Sequence, residues 1–392
     1  FTTFKHLTMM KTRSFLLSTL AVFIFAGCSS EDAREGNIPG GELDGKAYLS
    51  LSLQSHTATS RAVNVEEKPG SSGESKAGAV KVLLFDEEDV CLDVVNFDDL
   101  TVGNSGGESG GTGTPEAVAS DAKLVPEKTK KVFVVINPYT DGNKGWNLAA
   151  ETVKGKPWSA INTAIEAVIA NVATTNQFMM TSAGKNTGIE GALTNVTVHK
   201  PSGYTNEAIN QAKTDAKNNP AEISVDRLSA KVEVAVKDPF STKPDGAKFT
   251  FDGWELSVTN KNVKLYSELI TYDNATNGAV YCRDNNYLLS EQPVINTGNK
   301  KTDEANLMAA FDYLKNIDNE SDDIPAVVQT NGSSLYCLEN TMEAKAQQLG
   351  FTTKVVVKAT YTPSGLNENS SYFSWKGNYY TLDALKEEYT KH

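Results

Sequence analysis

Histidines and paired carboxylates are the residues of this chain that could carry acid–base or metal chemistry. No two of the four histidines are close in sequence: they are His6, His56, His199 and His392. The chain has neither an H-E-x-x-H sequence nor the cysteine and histidine spacing of a zinc site. Adjacent carboxylates such as Asp98 and Asp99 point apart on a strand, so they make poor acid–base pairs. The sequence therefore predicts no enzymatic activity, no catalytic residue, no metal site and no cofactor.

Cys28 follows a segment that has the features of an export signal. Basic residues precede a short apolar run over 15–25, and small residues lead from that run to the cysteine. These features are typical of a secretory signal peptide, and the run is shorter than the ~20 residues of a spanning helix. The placement resembles a bacterial lipobox, although Phe25 stands where leucine is usual. We expect residues 1–28 to be a signal peptide and Cys28 to be the acylated, palmitate-bearing residue; a plain signal peptide or a buried N-terminal helix are the alternatives.

Composition and charge fit an exported protein with a packed core. The chain has 392 residues, of which 39% are hydrophobic and 22% are charged. This length suggests two domains or three. The formal charge of −12 at pH 7 argues against nucleic-acid binding, which requires clustered lysine and arginine. An ordinary acidic extracellular or periplasmic protein has the same composition, so these values alone do not identify a function.

The remaining cysteines are too few for a disulfide scaffold. With Cys28 assigned to lipid, an odd number remains: Cys91, Cys282 and Cys337. An oxidising compartment would permit a bridge between Cys282 and Cys337. Two independent buried thiols are the favoured interpretation, because free cysteine behaves as a small buried hydrophobe.

Residues 46–63, KAYLSLSLQSHTATSRAV, combine a patterned strand with a basic residue. Apolar residues recur at every second position, which predicts a half-buried strand. These positions are Ala47, Leu49, Leu51 and Leu53. Small polar residues follow, up to Arg61, and a segment of this composition is a typical site of protease cleavage.

The rest of the chain alternates irregularly between strand and helix patterns. Strand patterns cover residues 79–86, 91–100, 130–138, 222–238, 248–260, 333–341 and 352–363. Helical spacing covers 158–173 and 305–317, and more weakly 206–219. The lack of regular strand–helix alternation argues against a doubly wound parallel sheet. We expect a mainly β fold with a few helices, arranged as two sandwich-like domains.

Aromatic residues offer a second type of functional surface, a platform for carbohydrate. The candidates are Trp146, Trp158, Trp254, Trp375, Tyr372, Phe373, Tyr379 and Tyr380. Core and turn positions in β-sandwiches are the favoured interpretation, because aromatic side chains bury much area per residue.

Several segments, in chain order, resemble the Bacteroidales type V pilins, which are the fimbrillins or FimA-like major subunits. The resemblance runs from about residue 10 to about residue 380. It rests on the cysteine at 28, the strand before Arg61-Ala62, VKVLLFD, VFVVINP, DRLSAKVEV, YCLENT and TTKVVVKATY. It implies two tandem transthyretin-like domains, at residues 62–221 and 222–392, after a tether and propeptide at 29–61.

The resemblance also implies a route of assembly. The precursor would reach the outer membrane as a lipoprotein, and an arginine-specific protease would cut after Arg61 to leave Ala62 at the new N-terminus. Cutting at Arg34 would leave the first strand in place. Removal of that strand would open a groove, which a strand of another copy or of a related fimbrial subunit would fill. Repetition would build an extracellular fimbria that supports adhesion and biofilm formation.

The resemblance further predicts a donor segment beyond KGNYYTLDALKEEYTKH. The chain stops at His392, so the sequence is either truncated or has an unusual C-terminal domain that lacks its final strands, and no donor residue is predicted. Two alternative functions stay open. One is a tip or anchor adhesin of the same fimbrial system, and the other is a glycan-binding surface lipoprotein.

Overall fold

A computed structural model describes most of the chain from residue 43 onward. The described residues are 43–55, 77–97, 100, 102–104, 118–138, 140–141, 144–166, 169–174, 177–183, 192–236, 246–271, 280–283, 298–299, 301–302, 305–306, 309, 311–312, 329–342, 351–367 and 371–391.

Strands dominate this part of the chain, as the sequence predicts, and the mainly β fold with few helices is confirmed. In the first half the strands are β1 (Lys46–Leu49), β2 (Leu51–Ser55), β3 (Val80–Phe85), β4 (Cys91–Asn96), β5 (Val102–Asn104), β6 (Lys123–Pro126), β7 (Lys131–Ile136), β8 (Thr140–Asp141), β9 (Lys144–Gly145), β10 (Ile165–Glu166), β11 (Ala173–Thr174), β12 (Gln177–Phe178), β13 (Met180–Ser182) and β14 (Thr194–Asn195).

The second half continues in the same way. Its strands are β15 (Ala221–Arg227), β16 (Ser229–Glu233), β17 (Lys248–Ser257), β18 (Thr259–Asn260), β19 (Asn262–Val263), β20 (Glu268–Thr271), β21 (Val280–Arg283), β22 (Phe311–Asp312), β23 (Ser334–Leu338), β24 (Lys354–Thr362), β25 (Phe373–Trp375) and β26 (Asn378–Tyr380). The helices are α1 (Ala150–Val153), α2 (Trp158–Ile161), α3 (Ile169–Val172), α4 (Asn206–Asn218) and α5 (Leu382–Thr390). Within the described residues, no helix is both long enough and apolar enough to cross a membrane.

An eight-stranded sheet organises the first half. Its order is β4-β3-β7-β13-β15-β2-β5, and β14 also pairs with β7. The strand pairs from β4 to β15 are antiparallel, whereas β2 runs parallel to both β15 and β5. The continuous apolar run of β7 is buried throughout, which confirms the central strand predicted at 130–138.

Both faces of this sheet are covered by apolar side chains. On one face, Leu83 of β3 and Phe133 of β7 join a cluster with Trp146 and Ile161. On the other face, the alternate residues of β3 and β7 join a cluster that includes the leucines of β1 and β2. Because successive side chains of a strand point to opposite faces, a run that is apolar at every position must be covered on both sides.

A smaller pair of two-stranded sheets lies in the second half. β17 pairs with β24, and β16 pairs with β23. The fully buried Trp254 of β17 packs with Cys337 of β23 and Val232 of β16. Its indole nitrogen donates a hydrogen bond to the carbonyl of Thr330 at 3.1 Å. Burial of this large side chain joins the two sheets, and its polar atom is satisfied.

The predicted helix at 158–173 is wrong. The chain forms only the single turns α2 and α3, with the short strand β10 between them. Asn162 ends α2 because its side-chain amide donates to the Tyr266 carbonyl at 2.9 Å and its side-chain oxygen accepts from the Tyr266 backbone N–H at 3.0 Å. These tertiary bonds stabilise a non-helical conformation where local periodicity favours a helix.

The two-domain division stays a prediction. Its boundary, between residues 221 and 222, falls at the start of β15, which is a strand of the eight-stranded sheet. Val263, Leu265 and Leu338 from the second half also pack in the core of that sheet.

Helix α4, the longest of the described helices, is well specified by its sequence. Thr205 lies at its N-cap, where the hydroxyl accepts a hydrogen bond from the Ala208 backbone N–H at 3.2 Å. Its buried side chains are Ile209, Ala212 and Ala216. This spacing places small and apolar residues on one face, which packs against β1.

We expect the substitution Thr205→Ala to lower the free energy of unfolding by about 1 kcal/mol, because it removes an N-cap. The matched control is Thr214→Ala on the same helix, since the Thr214 hydroxyl only donates back to the Asn210 carbonyl. That control should change stability by less than about 0.5 kcal/mol. Urea unfolding of both variants measures the difference, and equal effects would contradict the role of the cap.

Candidate functional site

Residues 46–55 form two strands rather than one, and we call them the first segment. β1 pairs with β6, so that Ala47 faces Val125. β2 lies in the eight-stranded sheet. The chain passes from one sheet to the other at Ser50, as strands do at the corners of sandwiches.

The β1 half is held on three sides. Along one edge it pairs with β6. Along the other edge, Tyr48 and His199 exchange two backbone hydrogen bonds of 2.8 Å. Helix α4 covers one face of β1, and the ammonium of Lys213 lies 5.4 Å from the centre of the Tyr48 ring. An ammonium over an aromatic face is attractive and shields the ring from water.

The β2 half lies between two parallel neighbours. Leu51 is opposite Ala221 of β15, and this pairing continues to Ser55 opposite Val225. On the other side, Leu53 is opposite Val102 of β5. Within the described pairings, β5 joins the sheet only through β2. Loss of β2 would therefore expose one edge of β15 and leave β5 without a partner strand.

Burial of the first segment exceeds the half-buried pattern predicted from its alternation. Leu49, Leu51 and Leu53 pack in one cluster on the sheet face, as expected for the apolar positions. Ala47 is fully buried as well. The opposite positions are also buried: they are Tyr48, Ser50 and Ser52. The half-buried prediction is wrong at Tyr48, which lies against α4, at Ser50, which contacts Ser120, and at Ser52.

Ser50 and Ser120 form a buried hydrogen-bonded pair at the corner. The Ser50 hydroxyl donates to the Ser120 carbonyl at 2.7 Å. The Leu51 backbone N–H donates to the Ser120 hydroxyl at 3.0 Å, and the Ser120 N–H donates to the Leu51 carbonyl at 2.8 Å. The Ser50 carbonyl accepts from the Ala221 N–H at 2.8 Å. Buried polar groups require such partners, and here they have them without a continuous ladder.

Two ion pairs lie near α4 and β6, the elements that contact β1. Lys217 of α4 contacts Asp121 at 2.6 Å, next to Ser120. This hydrogen-bonded lysine lowers the pKa of the Asp121 carboxyl. Lys200, next to His199, pairs with Glu127 at the end of β6, and that contact raises the pKa of the Lys200 ammonium. Because both pairs are largely exposed, each contributes little to stability.

The predicted site residues divide into two groups. Ala47, Leu49, Leu51 and Leu53 lie together in the first segment. The lipidation residue Cys28, the cleavage residues Arg61 and Ala62, and Arg34 lie outside the described residues. Ser120 and His199 were not predicted, because they are distant in sequence and have no local pattern that links them to the first segment.

Cys91 and Cys337 are buried thiols. Cys91 and Cys337 are both free, so the structure contains no Cys282–Cys337 bridge. Desolvation by burial raises the pKa of Cys91 to about 11 and also raises the pKa of Cys337. Among the described residues, no group of three or more histidine, cysteine or acidic side chains could hold a metal ion.

The aromatic candidates divide between the core and one exposed hairpin. Trp146 and Trp254 are buried, and Trp158 packs 4.5 Å from the Phe133 ring. Three others lie exposed beside the turn of hairpin β25–β26: they are Tyr372, Phe373 and Tyr379. The turn itself has positive φ at Lys376 and Gly377, which is the geometry of a two-residue type I′ hairpin.

No protein-family model matches the chain, and no characterised protein matches it in sequence. Solved structures give distant matches. A candidate cell adhesion protein from Parabacteroides distasonis is 13% identical with a TM-score of 0.38, over 83% of this chain and 77% of that one. A fimbrial assembly protein from the same organism is 16% identical with a TM-score of 0.31, over 61% and 71%. The tip fimbrial protein of Porphyromonas gingivalis is 14% identical with a TM-score of 0.29, over 65% and 74%. TM-scores this low do not establish a shared fold.

Replacement of Leu51 by alanine should destabilise the protein by about 2–5 kcal/mol, since the side chain is fully buried and its removal leaves a cavity. The matched control is Gln54→Ala in the same strand, at a partly exposed position, with an expected change below about 0.5 kcal/mol. Urea unfolding of both variants gives the two values. A Leu51→Ala effect as small as that of Gln54→Ala would show that β2 is not part of the core.

We expect Cys91 and Cys337 to resist alkylation in the folded protein. Because pH 8 lies three units below the Cys91 pKa of about 11, about one thiol in a thousand is ionised, and burial blocks the reagent. Iodoacetamide treatment at pH 8, with and without urea, followed by peptide mass spectrometry, measures this protection. Rapid labelling of either residue without urea would contradict the buried positions.

Proposed function

We propose that the chain is a structural subunit of a cell-surface fimbria, exported as an outer-membrane lipoprotein, activated by proteolysis after Arg61 and polymerised by strand exchange. Its partners are other copies and related fimbrial subunits, after an arginine-specific protease has acted. The observation that carries this proposal is the position of β2, which lies between β15 and β5 and is followed in the chain by Arg61.

The groove under the first segment suits a replacement strand. If the segment left, the backbone groups of β15 and β5 that pair with β2 would lose their partners. A sheet edge of this kind pairs with an added strand, and the pockets beneath it select the alternate side chains. Here the pockets are those of Leu49, Leu51 and Leu53.

The free energy available to an incoming strand is large. Burial of three leucine side chains contributes roughly 5–9 kcal/mol by transfer estimates. Each hydrogen bond of the ladder adds about 0.5–1.5 kcal/mol. A junction of this size would open slowly, which suits a filament that must persist outside the cell. Before cleavage the subunit's own segment occupies the groove, so assembly waits for the protease.

Strand removal also fits the topology of the sheet. β2 runs parallel to its neighbours and is far from both in sequence, since β5 begins at Val102 and β15 at Ala221. Parallel neighbours cannot be joined by a tight hairpin. The segment can therefore leave without pulling a hairpin partner with it.

We expect an arginine-specific protease to cut the folded, non-acylated protein once, after Arg61, and to leave a resistant product that begins at Ala62. Arg61→Ala should abolish this cut and the assembly that follows it. Arg34→Ala is the matched control, because it also removes an arginine that precedes the domains but leaves the Arg61 cut intact. N-terminal sequencing identifies the cut, and size-exclusion chromatography with detergent-resistant ladders reports assembly.

Two outcomes would count against the proposal. One is protection of Arg61 while other arginines are cut. The other is a cut segment that stays bound while no higher species forms in the presence of a strand-donating subunit. Glycan binding would then be the better candidate, since the exposed rings of Tyr372, Phe373 and Tyr379 could stack on sugar rings.

A further inference from the structure

We propose that Ser120 selects the strand that fills the groove, by admitting a segment with a small hydroxyl residue at the position of Ser50. This inference rests on the function proposed above and specifies the chemistry of the partner. The incoming segment should carry apolar side chains at the positions of Leu49, Leu51 and Leu53. At the position of Ser50, which lies between those of Leu49 and Leu51, it should carry serine rather than alanine or a larger apolar residue.

The contacts at Ser120 are of two kinds. Its N–H and its hydroxyl bind the backbone of Leu51, at 2.8 and 3.0 Å. These contacts are available to any strand, whatever its side chains. Its carbonyl instead accepts from the Ser50 hydroxyl at 2.7 Å. Only a strand with a hydroxyl at this position can make that third contact.

The buried corner favours serine over both a smaller and a larger apolar residue. Ser50 is 1% exposed and Ser120 is 3% exposed. Alanine at the Ser50 position would leave the Ser120 carbonyl without this donor in a site that water hardly reaches. A larger apolar side chain would place carbon near an oxygen that now lies 2.7 Å from the hydroxyl. Carbon approaches such an oxygen only to about 3.3 Å.

The corner hydroxyl and the apolar positions together restrict the register of the strand. In LSLSL a shift by two residues keeps leucines in leucine positions and brings Ser52 to the position of Ser50. That shift would also bring Ser55 into the apolar position of Leu53. The opposite shift would bring the large ring of Tyr48 to the corner. A serine at the corner together with three flanking apolar residues therefore defines one register.

Ser52 offers a matched comparison on the same strand. It is 7% exposed and lies two residues after Ser50 in the chain. Within the described residues its hydroxyl has no hydrogen-bonding partner. Ser50→Ala and Ser52→Ala thus remove the same atom from two nearly equally buried sites, and only the first loses a contact to Ser120.

The test uses the full chain cut after Arg61 and a fluorescent peptide with the sequence of residues 46–55. The peptide is made in three forms: unchanged, with Ser50→Ala, and with Ser52→Ala. We expect the Ser50→Ala peptide to dissociate roughly 5- to 100-fold faster than the unchanged peptide. The Ser52→Ala peptide should dissociate within about twofold of it. Because the protein is unchanged, its folding is the same in every arm.

The outcomes separate the inference from the proposed function. Tight binding of all three peptides with equal dissociation rates would overturn the selection by Ser120 and leave strand exchange intact. Failure of every peptide to enter the cut protein would overturn both. A Ser120→Ala protein should release both peptides faster, because it loses the hydroxyl that accepts from the strand's backbone N–H and lies 3.3 Å from the Ser50 hydroxyl. The unchanged peptide should still dissociate more slowly than the Ser50→Ala peptide, because the Ser120 carbonyl that accepts from the Ser50 hydroxyl remains.

Discussion

The parallel insertion of β2 between β15 and β5 is the interaction on which the large sheet depends. Through it, β5 joins the other strands and the edge of β15 is closed. Leu51 and Leu53 extend the apolar cluster beneath the sheet at the same time. A strand with both edges paired and both faces covered contributes far more than an edge strand, and its absence would leave an open, adhesive groove. The same residues therefore contribute to the stability of the sheet and, in the proposed strand exchange, line the groove that a second strand would fill.

The sequence predicts the elements that local patterns encode. The buried runs of β3 and β7 and the apolar side of the first segment follow from residues that repeat with the period of a strand. Local patterns do not encode what covers a strand. Tyr48 and Ser50 alternate like exposed residues, yet they are buried, because α4 lies against Tyr48 and Ser120 contacts Ser50. Ser120 is separated from Ser50 by 70 residues, so no short pattern could connect them.

The failed helix at 158–173 has the same cause. The apolar residues of this segment do pack in the core. Ile161 and Val172 are both buried against the sheet, but they belong to two separate helical turns, α2 and α3. Asn162 binds the backbone of Tyr266 instead of continuing the helix. A short segment gains little from helix formation alone, so tertiary contacts decide its conformation.

The corner at Ser50 makes the two halves of the first segment act together. β1 pairs with β6 in one sheet, and β2 pairs with β15 and β5 in the other, so one continuous segment contributes a strand to both sheets. An apolar residue at the corner would avoid the cost of burying a hydroxyl, but it would leave the Ser120 carbonyl without this donor. The hydroxyl instead fixes where the strand turns from one sheet to the other. A segment out of register could then fill at most one half of the groove. In the proposed strand exchange, an incoming strand would therefore have to match both halves of the groove in one register.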